Sequence, residues 1–427
     1  MLSASMRRLP ATTVYLFYLA SNGFLFRLLT TVFNVFLIME LHLDPLQLLL
    51  MGTFLEGSYL VFELPTGLIA DTISRKFSVL IGVGGVGVSF ILFGLSNSFA
   101  MAAFSQILFG LFATFESGAD VAWLTDEIGE EAAHEYYMRG EQYFLAFSLI
   151  GILGSVALAW AFSLRTPIVV AGIGALVLAA LLSFLMREEN YHPAPLAPGQ
   201  TVRSGLLATL KEGIGEVRRH RVLLLILAVA ALHGASTEGF DRLSDYHFLK
   251  GIGLPSLGSM NYVVWFGLLD GVSLALGFLA VHLVKGRTRL EGHVHVARIL
   301  AVVDVALIVR VVVFGFAGSY WLAVAAFWLV GGLRHVREPI FRAWVNQGLD
   351  PRTRATVNSM ATQFDAIGQA AGGPMLGLST KLVSVPVTIM ISGLLRIPVL
   401  SLYLRAIRRG TVGTVPPVDE AIDLDGD

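Results

Sequence analysis

The segment Gly67-Leu68-Ile69-Ala70-Asp71-Thr72-Ile73-Ser74-Arg75-Lys76 joins two long apolar runs. A helix of about 20 apolar residues is long enough to cross the hydrocarbon core of a bilayer. Between the two runs stand the carboxylate of Asp71 and the basic pair Arg75 and Lys76, which can form and break ion pairs at the helix ends. The segment therefore predicts two membrane helices joined by a short charged loop, with Gly67 permitting close helix approach.

The same alternation of apolar runs and short polar segments continues along almost the whole chain. Of the 427 residues, 55% are hydrophobic and 14% are charged, whereas soluble domains carry about 25% charged residues. We therefore expect an all-α membrane protein. The apolar pattern predicts twelve spans, near residues 12–39, 46–70, 77–96, 99–124, 137–161, 166–186, 221–249, 257–284, 293–316, 319–346, 355–378 and 384–404.

The longest polar segment, residues 187–220, separates six spans from six. A short repeat supports this division, because Ala122-Trp123 and Ala343-Trp344 are 221 positions apart in spans 4 and 10. We expect a six-helix half at 1–186, a linker at 187–220, a second half at 221–404 and a tail at 405–427. Six apolar residues of the linker fall on one helical face and predict a helix lying on the membrane: Val202, Leu206, Leu207, Leu210, Ile214 and Val217.

The positions of the cations predict the orientation. Nineteen Lys and Arg residues fall in the tails and loops on the side of the termini, against three on the other side, Arg165, Lys250 and Lys381. Positive charge is enriched in cytoplasmic loops. Both termini are therefore expected in the cytoplasm, with the chain in a plasma membrane, most simply a bacterial inner membrane.

Composition also limits the chemistry. The chain has no cysteine and a net charge of -1, so we expect no disulfide and no nucleic-acid partner. Ten histidines occur without an HExxH arrangement, and we predict neither a metal site nor a cofactor. The expected partners are a small-molecule substrate, the lipid bilayer and protons as coupling ion, with the protein acting as a monomer.

The loop at residues 67–76 resembles the signature loop of the major facilitator superfamily. Gly67, Asp71, Arg75 and Lys76 match that pattern, whereas Thr72 and Ser74 depart from it. The resemblance implies two six-helix halves that rock around a central cavity, with these four residues acting at the inner gate. It further implies a drug-efflux-like transporter that exports a small organic molecule in exchange for protons.

Ionisable residues inside the predicted spans are the main functional signal. Each costs about 2.5–3.5 kcal/mol at a helix centre unless it faces a partner or water. Seven polar residues near mid-depth are candidates for substrate or proton binding: Asn22, Arg27, Glu56, Asp270, Asp304, Asp365 and Arg396. Glu56, Asp304 and Asp365 are the candidate proton carriers. Structural salt bridges between helices are the alternative interpretation for each.

Two further groups of charges predict gates. Glu238 and Arg242 are four residues apart on one face of span 7 and predict an external gate, or else a solvated helix end. Glu116 and Arg337 occupy repeat-equivalent positions with opposite charges. They predict a salt bridge between the halves that closes the cytoplasmic side.

Two other functions remain open at this level. Arg27, Arg310 and Arg396 could bind an anion, in which case the protein is an organic-anion or phosphate-ester carrier, and an importer is then conceivable. An integral-membrane enzyme is the second alternative. The sequence contains no HExxH, GxSxG or phosphate-cradling motif, so we expect no enzymatic activity.

Overall fold

The computed structural model describes residues 9–193, 221–255, 262–284, 292–347 and 351–408. The first half contains seven α-helices: α1 Ala11–Met39, α2 Pro45–Thr72, α3 Arg75–Gly94, α4 Phe99–Glu116, α5 Ala119–Ile128, α6 Glu130–Ala161 and α7 Arg165–Leu185. Helices α4 and α5 together make one traversal of the bundle. The half therefore crosses six times.

The second half repeats this arrangement within the described residues: α8 Arg221–Tyr246 with a π-helical extension His247–Ile252, α9 Tyr262–Val284, α10 His293–Gly315, α11 Tyr320–Asn346, α12 Pro351–Leu382, α13 Val385–Leu394 and α14 Ile397–Arg408. Helices α13 and α14 form one broken traversal. The expected twelve crossings are thus present in the part of the chain that the structure describes.

Eight of the described segments are long and apolar enough to cross a membrane by length and composition: Ala11–Met39, Pro45–Thr72, Arg75–Gly94, Phe99–Ile128, Glu130–Ala161, Arg165–Leu185, Tyr262–Ala280 and Val385–Arg405. The other four traversals are α8, α10, α11 and α12. All four belong to the second half, and all contain several charged residues. The charges that lower their hydropathy include five of the functional candidates, Glu238, Arg242, Asp304, Arg337 and Asp365.

Local signals in the sequence account for several helix boundaries. Asp44 and Gln47 form a capping box at the start of α2, with Gln47 N–H donating to Asp44 Oδ1 at 2.9 Å. Ser74 caps α3 by accepting the backbone N–H of Phe77 at 2.9 Å. Gly118 has φ +73° between α4 and α5, a conformation that glycine adopts without steric cost.

Some boundaries differ from the prediction. Helix α6 begins at Glu130, seven residues before the expected start, because its first two turns are polar and carry no apolar signal. Residues 187–192 hydrogen-bond to the first half, although the sequence placed them in the linker. The membrane-surface helix expected within residues 187–220 lies outside the described residues.

Successive traversals run in opposite directions, so Ala11 and Arg408 lie at one end of the bundle. We call this end the termini side, and the opposite end, which holds Met39 and Pro45, the far side. Between the halves, α2 packs along α12 and α6 packs along α9. These two helix pairs form the interface that the candidate site occupies.

Candidate functional site

Three adjoining cavities share lining residues and form a continuous space that extends from the first half into the second. The first, of about 380 Å³, lies within the first half, and the second, of about 420 Å³, lies between α2 and α12. They share Tyr59 and Ser117 in their walls. The third, of about 450 Å³, lies in the second half and shares Ser359, Thr362 and Asp365 with the second. Because Ser117, Ser359 and Thr362 are exposed, this space opens toward the termini side.

On the far side the two halves are in direct contact. A Cβ atom at Gly373 of α12 would lie 2.2 Å from Thr53 Oγ1 and 2.9 Å from the carbonyl oxygen of Leu49, both on α2. Asn34 of α1 donates a hydrogen bond to Asp245 of α8 at 2.9 Å. The conformation is therefore closed on the far side and open on the termini side.

An ion pair between the halves adds to the far-side contact. Lys381 Nζ lies 3.0 Å from Asp44 Oδ2, and both side chains are about half exposed. Partial burial acts to raise the pKa of Asp44, but the backbone N–H of Gln47 and the Lys381 ammonium outweigh it. The pKa of Asp44 therefore lies below its usual range, and its carboxylate is ionised at neutral pH.

A charged cluster lies where α2, α8 and α12 meet. Glu238 and Arg242, the predicted external gate, pair at 3.5 Å on α8, and both pack against the small Gly52 of α2. Glu56 of α2 interacts electrostatically with this pair and with Asp365. The structure therefore brings Glu56, Asp365, Glu238 and Arg242 together from opposite halves.

This cluster contains carboxylate oxygens without a partner. Gln369 donates to Asp365 Oδ2 at 2.8 Å. Asp365 Oδ1 and Glu238 Oε1 are buried and make no hydrogen bond with the described part of the chain. A buried carboxylate oxygen without a donor is unfavourable, so this cluster is suited to take up a proton or a cation.

A second polar cluster belongs to the first half alone. Tyr18 OH donates to Glu116 Oε2 at 2.9 Å, and Asn22 Nδ2 lies 3.4 Å from the same oxygen. Asp120 lies close enough to interact electrostatically with Glu116. Asn22 and Glu116 both line the cavity of the first half in this conformation.

The second half holds a separate buried network around Asp304. Asp304 Oδ1 accepts from Arg337 Nε and from Arg396 Nη1, both at 2.9 Å. Arg337 also donates to Tyr403 OH at 3.3 Å. Asp304 is 0% exposed, Arg337 2% and Arg396 4%. These three candidates thus lie together behind the cavity wall.

The expected salt bridge between Glu116 and Arg337 is absent from this conformation. Each side chain is bound within its own half, Glu116 by Tyr18 and Arg337 by Asp304. The termini side is open here, and a bridge would require both the closing of the halves and the release of these partners. The pairing in a closed state stays a prediction.

Two more candidates meet near the contact of α6 with α9. Asp270 of α9 interacts electrostatically with Arg27 of α1, in the opposite half, and with Asp245. Arg27 packs against Gly151 of α6, and its buried Nε makes no hydrogen bond with any described residue. Arg27 and Asp270 therefore lie within electrostatic range of each other, on helices of opposite halves.

The loop at residues 67–76 is bound to its own half. Arg75 lies 2.6 Å from Asp126 of α5 and 3.5 Å from Asp71. Lys76 Nζ donates to the carbonyl oxygen of Ser183 at 2.9 Å. Gly67 faces open space, with nothing within 4 Å of a built Cβ, so the predicted close approach is not made while the termini side is open.

The sequence analysis missed Glu188. Its carboxylate accepts from Ser74 Oγ at 2.5 Å and from the backbone N–H groups of Arg75 at 2.6 Å and Lys76 at 3.1 Å. It thereby caps the positive end of α3. The available signal was an acidic residue directly after span 6, on the same side of the membrane as the basic pair.

Two six-traversal halves around a cavity open at one end define a secondary transporter of the membrane. The family model of the Major Facilitator Superfamily matches residues 16–373. The chain belongs to this superfamily. It is a multi-pass membrane transporter of small-molecule substrates, and it is not an enzyme.

Known proteins similar to the chain agree with this assignment. An uncharacterized MFS-type transporter of Bacillus subtilis, YxaM, is 23% identical over 377 residues, covering 86% of this chain and 88% of that protein. The crystal structure of the nucleoside transporter NupG is similar with a TM-score of 0.73 and 11% identity, covering 93% of this chain and 99% of that chain.

Two further solved structures share the fold. An inward-facing bacterial homolog of the human lysosomal transporter Spinster has a TM-score of 0.69 at 14% identity, covering 94% of this chain and 97% of that chain. A peptide transporter POT in complex with sulfate has a TM-score of 0.71 at 14% identity, covering 95% and 96%. At these identities the likeness establishes the fold and leaves the substrate open.

Proposed function

We propose that the protein exports a small organic molecule in exchange for protons by alternating access. The main support for this proposal is a set of carboxylates from both halves that line the adjoining cavities. Glu56 and Glu63 come from α2, Glu116 from α4 and Asp365 from α12, and all four line the adjoining cavities. None of the four forms an ion pair with a described residue in this conformation.

Carboxylates without an ion-pair partner are suited to the exchange of a substrate for protons. An ionised carboxylate in a membrane interior is costly unless a counter-charge compensates it. A proton or a positively charged substrate can supply that compensation, and each positive charge bound in the adjoining cavities disfavours the binding of another. Binding of a proton from one side would release the substrate there, which is the logic of antiport. We assign the coupling proton to Glu56 and Asp365, which approach each other from opposite halves.

The anion-carrier alternative has less support. It rests on Arg27, Arg310 and Arg396. Arg310 is exposed on the outer surface of its helix and does not line the cavities. Arg396 is buried and already bonded to Asp304. Only Arg27 is left with an unbonded buried nitrogen, so we favour a neutral or positively charged substrate.

We further propose that the termini side faces the cytoplasm of a bacterium, and that the monomer is the functional unit. The excess of Lys and Arg on the termini side supports the orientation. With this orientation the cavity is inward-open. The cavity is complete within one chain, since both halves of the same molecule provide its walls.

Proteoliposomes with an acidic interior and a pH-sensitive dye test the proposal. A transported compound added outside should collapse the pH gradient, because inward movement of substrate drives protons out. Glu56→Gln and Asp365→Asn should each reduce this signal strongly. Glu131→Gln alters an exposed acid outside the membrane and is the matched control.

Full proton exchange by both cavity variants would contradict the assignment of Glu56 and Asp365. A transported compound that leaves the pH gradient unchanged would contradict proton coupling itself. Compounds that carry a negative charge and move better than their neutral analogues would instead favour the anion carrier.

A further inference from the structure

The cavity of about 380 Å³ in the first half combines an aromatic wall with a fixed carboxylate. Its polar corner consists of Glu116, Tyr18 and Asn22, joined by the hydrogen bonds described above. The aromatic side chains around it come from five different helices: Phe26, Tyr59, Phe90, Phe109 and Phe144. Residues of both kinds face the same cavity.

The carboxylate corner lacks a cation from the protein. The described residues that line the cavity include two acids, Glu116 and Asp120, and neither Lys nor Arg. Tyr18 and Asn22 orient Glu116 but carry no charge. A carboxylate buried among aromatic rings is stabilised by a cation that hydrogen-bonds to it while lying against ring faces. The missing group therefore has the chemistry of an ammonium ion.

The backbone around Glu116 is shaped for this position. Gly82 of α3 leaves room for the Glu116 side chain, since a Cβ there would lie 2.5 Å from Glu116 Cγ. The helix is interrupted directly after Glu116, at Ser117 and Gly118. Interrupted helices at membrane depth are tolerated where they line a cavity, and transporters use them to build binding sites.

A neighbouring cavity extends the apolar character of the site. This space of about 370 Å³ lies among α1, α6 and α7 and is lined almost entirely by apolar side chains. It shares Leu25 and Leu178 with the aromatic cavity. Exposed Phe17 and Ile150 place it at the lipid-facing surface. An apolar ligand thus has a continuous apolar surface between the bilayer and Glu116.

We infer that the first half holds the substrate site, and that its ligand is a lipophilic aromatic amine whose ammonium group binds Glu116. This inference rests on the proposed transport function and adds the substrate class. A cavity of this size is at the small end of ligand pockets, about 300–1,000 Å³, and fits one or two rings. Substrate and proton then occupy different carboxylates, Glu116 for the amine and Glu56 with Asp365 for the proton.

A charge series of constant shape tests the inference. Tryptamine, tryptophol and indole-3-propionate present an ammonium, a hydroxyl and a carboxylate on one indole, and phenethylamine with its alcohol and acid analogues forms a one-ring series. Binding to the purified full-length protein is measured by ligand-induced shift in melting temperature and by calorimetry. The amines should bind, and their alcohol and acid analogues should bind at least about tenfold more weakly.

Variants locate the site. Glu116→Gln keeps the size and hydrogen-bonding capacity but removes the charge, and it should abolish the preference for the amine. Tyr18→Phe keeps the ring, removes the donor to Glu116 and should weaken amine binding several-fold. Glu131→Gln should bind as wild type. The melting temperature without ligand shows whether each variant is folded.

Equal binding of all three charge forms, or no binding by either amine, would overturn the inference. So would an amine preference that survives Glu116→Gln. Failure of the proposed function has a different signature. Amine binding would then persist, while the amine would dissipate the pH gradient of acid-loaded proteoliposomes no faster than that of protein-free liposomes, which its free base crosses unaided.

Discussion

Substitution of Gly373 by alanine should open the far side. The new Cβ would lie 2.2 Å from Thr53 Oγ1 and 2.9 Å from the Leu49 carbonyl oxygen. The threonine side chain can rotate, whereas the carbonyl belongs to the backbone of α2, so the helices must separate. Overpacking of this kind costs about 1–3 kcal/mol. Since 1.4 kcal/mol is a factor of ten, the ratio of molecules open on the far side to molecules open on the termini side should rise about 5-fold to about 150-fold.

Single cysteines report this change against a background without cysteine. Val156→Cys lies on the packed contact with Gly267 on α9 and should react faster with a membrane-impermeant thiol reagent when Gly373 is alanine. Thr362→Cys lies exposed in the cavity and should react more slowly. Both rates are measured on purified protein in detergent.

Two controls isolate the steric effect. Gly57→Ala lies on α2 with nothing within 4 Å of the added Cβ and should change neither rate. Thr53→Ala combined with Gly373→Ala removes the closer contact and should restore part of the wild-type behaviour. Unchanged labelling at both reporters in Gly373→Ala would refute the idea that the contact between α2 and α12 holds the far side closed.

Three other substitutions follow from the structure. Asp304→Asn leaves two buried guanidinium groups without their counter-ion and should cost about 3–5 kcal/mol of stability, seen as a large drop in melting temperature that Asp365→Asn does not share. His192 is exposed on the termini side and Asn97 on the far side. With the termini in the cytoplasm, an impermeant thiol reagent applied to intact cells should label Asn97→Cys but not His192→Cys. The reverse pattern would show that the protein has the opposite orientation. Asp71→Asn should leave expression unchanged but slow transport by favouring the state that is open on the termini side. Wild-type turnover of this variant would mean that Asp71 only sets the topology.

The sequence was sufficient for the architecture because hydropathy and span length act locally along the chain. The twelve traversals and the similar depth of Glu56 and Asp365 could both be anticipated from the span positions. Depth along a helix follows from a fixed rise per residue, and residues at equal depth on neighbouring helices are brought together by packing.

Rotation about the helix axis could not be anticipated in the same way. Asp304 and Asp365 have similar depth, yet Asp304 is fully buried between two arginines while Asp365 lines the cavity. Which face of a helix turns inward depends on contacts with several other helices. The sequence also does not determine the conformational state. The molecule is open on the termini side, and for this reason the close approach expected at Gly67 and the salt bridge expected between Glu116 and Arg337 are not made.

The attachment of Glu188 to the start of α3 bears on how this protein could be divided into two separately expressed pieces. A cut after Leu185, where the last helix of the first half ends, would detach Glu188 and the Arg187 carbonyl that receives the indole N–H of Trp123. A cut after Pro193 would keep both with the first piece. Co-expressed fragments divided after Pro193 should therefore reassemble more readily than fragments divided after Leu185.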